Sequence, residues 1–346
     1  MKREWRVIAI LFFLVSALGL GNLVQGAEVK PIELKIMHFA APNHVVHKDV
    51  FIPWCKMLEE RTGGRVKGTI YPGELLGKVK DTYDLIVAGT ADIGWAYGVA
   101  TPGRFPLSSV FELPLLFPNS KVGSRVVWEM FEKEPSLKAE YREVKVLWLH
   151  TVTPMQLHTI KKPIRSLEDL KGMKIRSVGG VAPSVLKALG AVPVVMPTPD
   201  VYVALERGTV DGTIGAWEQL GPFKFYEVTK YHTVANLWVG QFYVVMNSKR
   251  WESFPPDIQK VVDGISGTWG ADLAGMAWDK EDLRGIEMVK GLKDHEVISL
   301  APDEFAKWRK AIRPIWDEWV EEKEAKGLPG RKILDELIRL IEKHTK

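Results

Sequence analysis

The chain has 346 residues, 46% hydrophobic and 26% charged, with 47 Lys and Arg against 43 Asp and Glu for a formal net charge of +4. That length exceeds what one core usually covers and predicts two lobes. The small, unclustered charge excludes the basic face that a nucleic-acid binder needs, and a lone cysteine, Cys55, excludes an internal disulfide. Half of the positive excess lies at the start, where Lys2, Arg3 and Arg6 stand against Glu4. An apolar run over 8–20 follows, too short to span a bilayer comfortably, and then the small residues Gly26 and Ala27. This predicts an exported chain whose leader, 1–27, is cleaved near Gly26 or Ala27. No cysteine stands there to carry a lipid.

Alternation of apolar and polar residues predicts a strand over 32–39, ending at Phe39. Asn43 can cap a helix over 44–61, which Gly63 and Gly64 end. His44 and His47, three apart, could share a face of that helix and bind a metal, but no third ligand is near, so solvated or pocket-edge histidines are the plainer reading. Cys55 reads as a buried apolar filler. A strand over 65–71, a helix over 78–88 and a strand over 93–97 follow. Trp95 and Tyr97 end that strand on one face; core and pocket-lining roles are both open to them. Residues 102–118, with four prolines, read as an irregular apolar stretch packed on the first lobe. A helix over 122–133 and a strand over 144–150 lead to a crossing into the second lobe near Thr151. Further on, a strand is predicted over 231–237 and a return to the first lobe over 241–247. Apolar spacing from Ile258 to Leu273 predicts one long helix from 255 to about 292, roughly 50 Å at 1.5 Å per residue, enough to lie across both lobes. Gly264, Gly267, Gly270 and Gly275 should weaken or bend it. Two charged amphipathic helices, 303–326 and 329–346, close the chain, with Trp308, Trp316 and Trp319 as packing residues.

The segment 163–218 organises the rest. Ser166 and Asp169 form a loose capping box around a helical turn that Gly172 ends. A strand over 174–177 carries Arg176 at its end, Gly179 and Gly180 open the next helix, and a second strand over 209–215 runs into Ala216, Trp217 and Glu218. A strand, a Gly-rich turn and a helix start are how an α/β protein presents a ligand site at a sheet's carboxyl edge. Within this segment, Pro-Ile-x-Ser-x-x-Asp-Leu-Lys-Gly-Met-Lys-Ile-Arg from Pro163, Lys-Ala-Leu-Gly-Ala at 187–191, Pro-x-x-Met-Pro at 193–197, Val-Tyr-x-Ala-Leu at 201–205 and Val-Asp-Gly at 210–212 occur in order. Outside it are Gly-Thr-Ala-Asp-Ile-Gly at 89–94 and Tyr-Val-Val-Met-Asn-Ser at 243–248, then Trp251 and Pro255. The series resembles the solute receptors of tripartite ATP-independent periplasmic (TRAP) transporters, dicarboxylate-receptor type, over nearly the whole mature chain.

From the residues alone, Arg176 is as compatible with an internal ion pair as with a ligand carboxylate, which a guanidinium grips through two parallel hydrogen bonds. The resemblance implies the second, since Arg at this position is the family's carboxylate clamp. Its helpers differ here. Gln156 stands where sialate-binding relatives have a second Arg, Gly215 where an Asn helps, and Thr198 where an aromatic stacks on some ligands. In oxoacid-binding relatives an acid near Ile214 joins the Gln at 156 on a metal ion; Gln156 is present but the acid is not, and Glu218 could replace it only if the loop bends back. A metal-bridged ligand is therefore doubtful, and a monocarboxylate is favoured. Phe39, Trp95, Tyr97 and Trp217 are placed around the cleft, favouring an aromatic or otherwise apolar body on the ligand. No Gly-x-Ser-x-Gly, Walker loop, His-Glu-x-x-His or Cys-x-x-Cys occurs.

The expectation is an α/β, two-lobed periplasmic solute-binding protein of type II-like form, with an interlobe cleft and a long helix crossing both lobes. Lobe I comprises 28–150 plus 239–275 and lobe II 151–238 plus 276–346. The protein is a non-catalytic receptor without cofactor or metal. It binds a small organic carboxylate through Arg176, Gln156, Phe39, Trp95, Tyr97, Trp217 and Glu218, and delivers it to integral-membrane TRAP transporter subunits. A ligand-sensing subunit for a signalling receptor, or a hydrolase or lyase on the same frame, are the alternatives.

Overall fold

The computed structural model describes residues 30–346; the leader expected over 1–27 lies outside the described residues. Two sheets carry the fold. The first has five strands in the order β2-β1-β3-β10-β4: β1 (Ile32–His38), β2 (Val66–Tyr71), β3 (Ile93–Tyr97), β4 (Val144–Thr151) and β10 (Gln241–Asn247). The second has six in the order β11-β9-β5-β8-β6-β7: β5 (Gln156–Thr159), β6 (Lys174–Ser177), β7 (Val192–Val195), β8 (Gly212–Gly215), β9 (Tyr231–Val234) and β11 (Glu296–Ser299). β1 is parallel to β2 and β3, and β6 is parallel to β7 and β8. β10 runs antiparallel between β3 and β4. The all-buried residues of β3 and β10 show why they are central: each is apolar enough to be covered on both faces.

The chain leaves the first sheet after Thr151 and enters the second at Gln156; it returns between Val234 and Gln241. These crossings are ordered. Val152 N–H donates to the Gly240 carbonyl and Met155 N–H to the Trp238 carbonyl, so the outgoing and returning segments are bonded to each other.

The long helix differs from expectation. It is interrupted: Pro256–Gly264 ends, Ser266 is extended, and a second helix runs over Gly267–Lys290. Gly267 has φ +58°, a conformation that L side chains rarely adopt, and the indole of Trp54 donates to the Ile265 carbonyl that the break leaves free. The second helix is about 36 Å long at 1.5 Å per residue. It still reaches both sheets, lying on β4 at one end and against Trp217–Gln219 at the other. Close approach there depends on Gly285, because a Cβ at that position would collide with the Trp217 backbone.

Three tail helices replace the expected two, Pro302–Ile312, Ile315–Ala325 and Gly330–Thr345, since Pro314 and the preceding Arg313 divide the first pattern. The tail returns to the first-sheet side. Gly330–Thr345 packs on the helix Ser120–Lys133, and Trp316 donates to the Pro114 carbonyl and Trp319 to Ser109. Trp308 is fully buried. β11 was not foreseen; its pairing partner, β9, is distant in the chain. The N-terminal part of the helix expected over 44–61 is a π-helical turn, Val46–Phe51.

Candidate functional site

Between the sheets lies a small cavity of about 40 Å³. Its wall combines first-sheet residues Tyr97 and Phe242, second-sheet residues Arg176 and Ile214, and Met155 and Trp238 from the two crossings. Arg176 sits on β6, only 2% exposed. Its Nε and Nη2 donate to the Met196 carbonyl at 3.1 and 2.9 Å, and Nη2 also to Thr198 Oγ1 at 3.1 Å. These bonds fix the plane of the guanidinium. No carboxylate lies within ion-pair distance of it among the described residues, and Nη1 donates to nothing there. Burial lowers its pKa to about 10, with Tyr97 and Asp200 opposing, so the group is still a cation at neutral pH. A buried cation lacking an internal counter-charge is costly unless something else supplies one.

The apolar wall follows from strand pairing. β10 sets Phe242 opposite Tyr97 and Val244 opposite Trp95. Phe242 stacks on Trp95 at 4.7 Å and Phe39 also stacks on it at 4.8 Å, while the Trp95 indole donates to His150 Nε2 at 2.9 Å. Phe242 and Tyr97 thus face the cavity, and Trp95 and Phe39 stand behind them in the first-lobe core. Tyr97 lies against Arg176 and Thr198, and burial raises its phenol pKa.

Of the seven residues placed at the site from sequence, Arg176 and Tyr97 line the cavity; Phe39, Trp95, Gln156, Trp217 and Glu218 do not. Gln156 has its amide fully used: Oε1 accepts from Ala235 and Asn236 N–H, and Nε2 donates to the Pro154 carbonyl and Asn236 Oδ1. It fastens the return crossing. Trp217 is core, flanked by His158 and His232 and covered by the helix at Gly285. His44 and His47 do not share a site: His47 Nδ1 meets His38 Nε2 at 3.0 Å, and His44 turns to Glu218. Residues that sequence reasoning missed are Phe242, Trp238, Met155, Glu112 and Gln219. Trp238 and Met155 lie on the segments that join the two sheets, where no periodic pattern marks them. Glu112 was hidden in the proline-rich stretch.

Glu112 ends the turn Ser108–Glu112 and is 4% exposed. Its Oε1 accepts from the Gln241 N–H at 3.3 Å, and burial pushes the carboxyl up to about 8. Gly180, from the second lobe, abuts it. Gly180 has φ +70°, and a Cβ there would lie 2.6 Å from Val99 Cγ1 and 2.9 Å from Glu112 Oε2. Bare backbone is what allows the two lobes to touch at this point.

Residues 36–323 match the family model described as bacterial extracellular solute-binding protein, family 7. The chain belongs to that family. Among family 7 relatives it is similar to the C4-dicarboxylate-binding periplasmic protein DctP of Rhodobacter capsulatus, 28% identical over 90% of this chain and 94% of that protein. A TRAP solute-binding protein of Rhodoferax ferrireducens, crystallised with copurified benzoate, superposes with a TM-score of 0.87 at 31% identity, covering 91% of this chain and 98% of that one. A marine-metagenome TRAP solute-binding protein, specific for aromatic acids and holding 3-hydroxybenzoate, gives 0.88 at 30% identity over 91% and 99%. The resemblance to TRAP solute receptors and the two-lobed α/β fold are thereby established.

This family 7 receptor has a second buried polar cluster away from the cavity. His44 Nε2 lies 3.3 Å from Glu218 Oε2, Glu218 N–H donates to Asp282 Oδ1 at 3.2 Å, and Thr153 Oγ1 donates to the same oxygen at 2.7 Å. His44 comes from the first lobe, Glu218 from the second, Thr153 from the outgoing crossing and Asp282 from the long helix. Burial, reinforced by the charge of Glu218, pushes Asp282 up to about 7.

Proposed function

We propose that this TRAP solute receptor binds a small organic monocarboxylate with an aromatic or otherwise flat apolar body, its carboxylate on Arg176 and its body against Tyr97, Phe242 and Trp238. The observation that carries this reading is the buried guanidinium with no acidic partner, facing a cavity shared by both sheets. The benzoate and 3-hydroxybenzoate held by two relatives about 30% identical support it. The lobes divide at the crossings near 151 and 239, with β11 and Pro302–Ile312 on lobe II and the tail helices Ile315–Ala325 and Gly330–Thr345 on lobe I, where they pack. Closure of the lobes removes water from the ion pair and strengthens it. The closed receptor is non-catalytic, resides in the periplasm after cleavage near Gly26 or Ala27, and hands its ligand to integral-membrane TRAP subunits.

Titration calorimetry with benzoate tests the clamp. Arg176→Ala should weaken binding by about 2–5 kcal/mol, on the order of 30- to several-thousand-fold. Arg176→Lys should also bind poorly, since an ammonium lacks the planar fork. An Arg176→Ala affinity equal to wild type would remove this residue from the site.

A further inference from the structure

The wall of the cavity offers two acceptors that the protein leaves without a donor. Glu112 Oε2 receives no hydrogen bond from any described residue, while its other oxygen has only the Gln241 amide. Gln219 Oε1 is buried with no partner. Both residues line the cavity that holds Arg176, yet neither forms an ion pair with it. Buried polar atoms are normally satisfied, so the unpartnered Gln219 Oε1, with the donor-free Glu112 Oε2 on the same wall, marks a place where a polar group of the ligand belongs. We propose that Glu112, assisted by Gln219, contacts the ligand and reads a hydroxyl carried on its body, away from the carboxylate. This inference rests on the reading of Arg176 as the carboxylate site.

The chemistry narrows the ligand class to hydroxylated aromatic or similar flat monocarboxylates. A hydroxyl can donate to Gln219 Oε1 or to a Glu112 oxygen and can accept from Glu112 when that carboxyl carries its proton, which burial favours. A second ligand carboxylate would meet these two acceptors and no second guanidinium, so dicarboxylates are disfavoured. Glu112 also borders the larger recess beside the cavity, about 600 Å³, and Gly180 shuts against it. Closure therefore desolvates the group that reads the hydroxyl. A site built to bond a hydroxyl strongly rejects the analogue lacking it, because its own polar atoms are then left unpaired.

The test is calorimetry of the mature protein with benzoate and its three monohydroxy isomers. Wild type should bind at least one isomer about tenfold or more tighter than benzoate. Glu112→Leu should bring that ratio to within about twofold, and Glu112→Gln should keep most of the ratio, since an amide still donates and accepts. Gln219→Ala should lower the ratio in the same direction, which covers the case in which Glu112→Leu does not fold. An unchanged ratio in Glu112→Leu or, if that protein does not fold, in Gln219→Ala overturns the inference, as does a wild type that prefers no isomer to benzoate. Benzoate binding unaffected by Arg176→Ala would instead overturn the carboxylate reading. Failure of all four acids to bind wild type would overturn both.

Discussion

The receptor buries polar groups at two places between its sheets, and they are built in opposite ways. Around Asp282, each group faces a complementary one: His44 faces Glu218, and the Glu218 amide and Thr153 hydroxyl donate to Asp282. In the cavity, Arg176 has neutral acceptors but no anion, and Glu112 and Gln219 keep open oxygens. The first cluster joins four segments, and its one buried oxygen without a hydrogen bond, Glu218 Oε2, still has the His44 ring at 3.3 Å. The second is incomplete without a guest. Burial and perturbed titration alone would have ranked the two alike; the presence or absence of internal partners separates them.

Arg176→Ala breaks this contrast most strongly. Ligand affinity falls as above, and the empty protein should lose no stability, because an uncompensated buried cation is removed; a urea denaturation curve without ligand checks this. Next in size is pH. Asp282 and Glu112 are raised in the fold to about 7 and 8, so what they contribute to stability is full below the ordinary carboxylate range and is lost as pH rises through those values. The unfolding free energy of wild type relative to Asp282→Asn/Glu112→Gln should therefore decline from about pH 4.5 to pH 8, by a few kcal/mol at most. A flat difference across that range would show that neither group is desolvated. Gly285→Ala drives a methyl group into the Trp217 backbone and should destabilise by about 1–3 kcal/mol, seen as a lower Tm. Gly180→Ala acts on closure: strain at positive φ and the clash with Val99 should weaken ligand binding about tenfold, with little effect on the open form. The smallest effect sharpens the placement of the aromatics. Phe39→Leu should cost about 1 kcal/mol of stability and change affinity less than about twofold, because Phe39 stands behind Trp95.

Much of the frame was legible in the sequence. β3, β6 and β10 fall at the expected residues, as does the capping box of Ser166 and Asp169, because local patterning and turn chemistry set them. Arg176 was legible as a charged residue ending a short strand before two glycines. What covers a side chain was not. Alternation placed Trp95 on the face of Tyr97, but its burial comes from Phe242, on a strand almost 150 residues later. Glu112 lies in a segment without periodicity, and its depth depends on Gly180 arriving from the other lobe. The break at Ser266 was blurred by four glycines in one stretch, only one of which, Gly267, takes a positive φ.

Cys55 remains the one thiol of the chain. It is pressed toward Gly68, and its pKa is pushed up to about 12 by burial, which leaves almost no thiolate at neutral pH. Cys55 is only half-buried, so a Cys55→Ser background would remove it as a target for thiol-directed dyes. In that background a cysteine engineered onto each side of the gap would accept a fluorophore pair, so opening and shutting could be followed one molecule at a time.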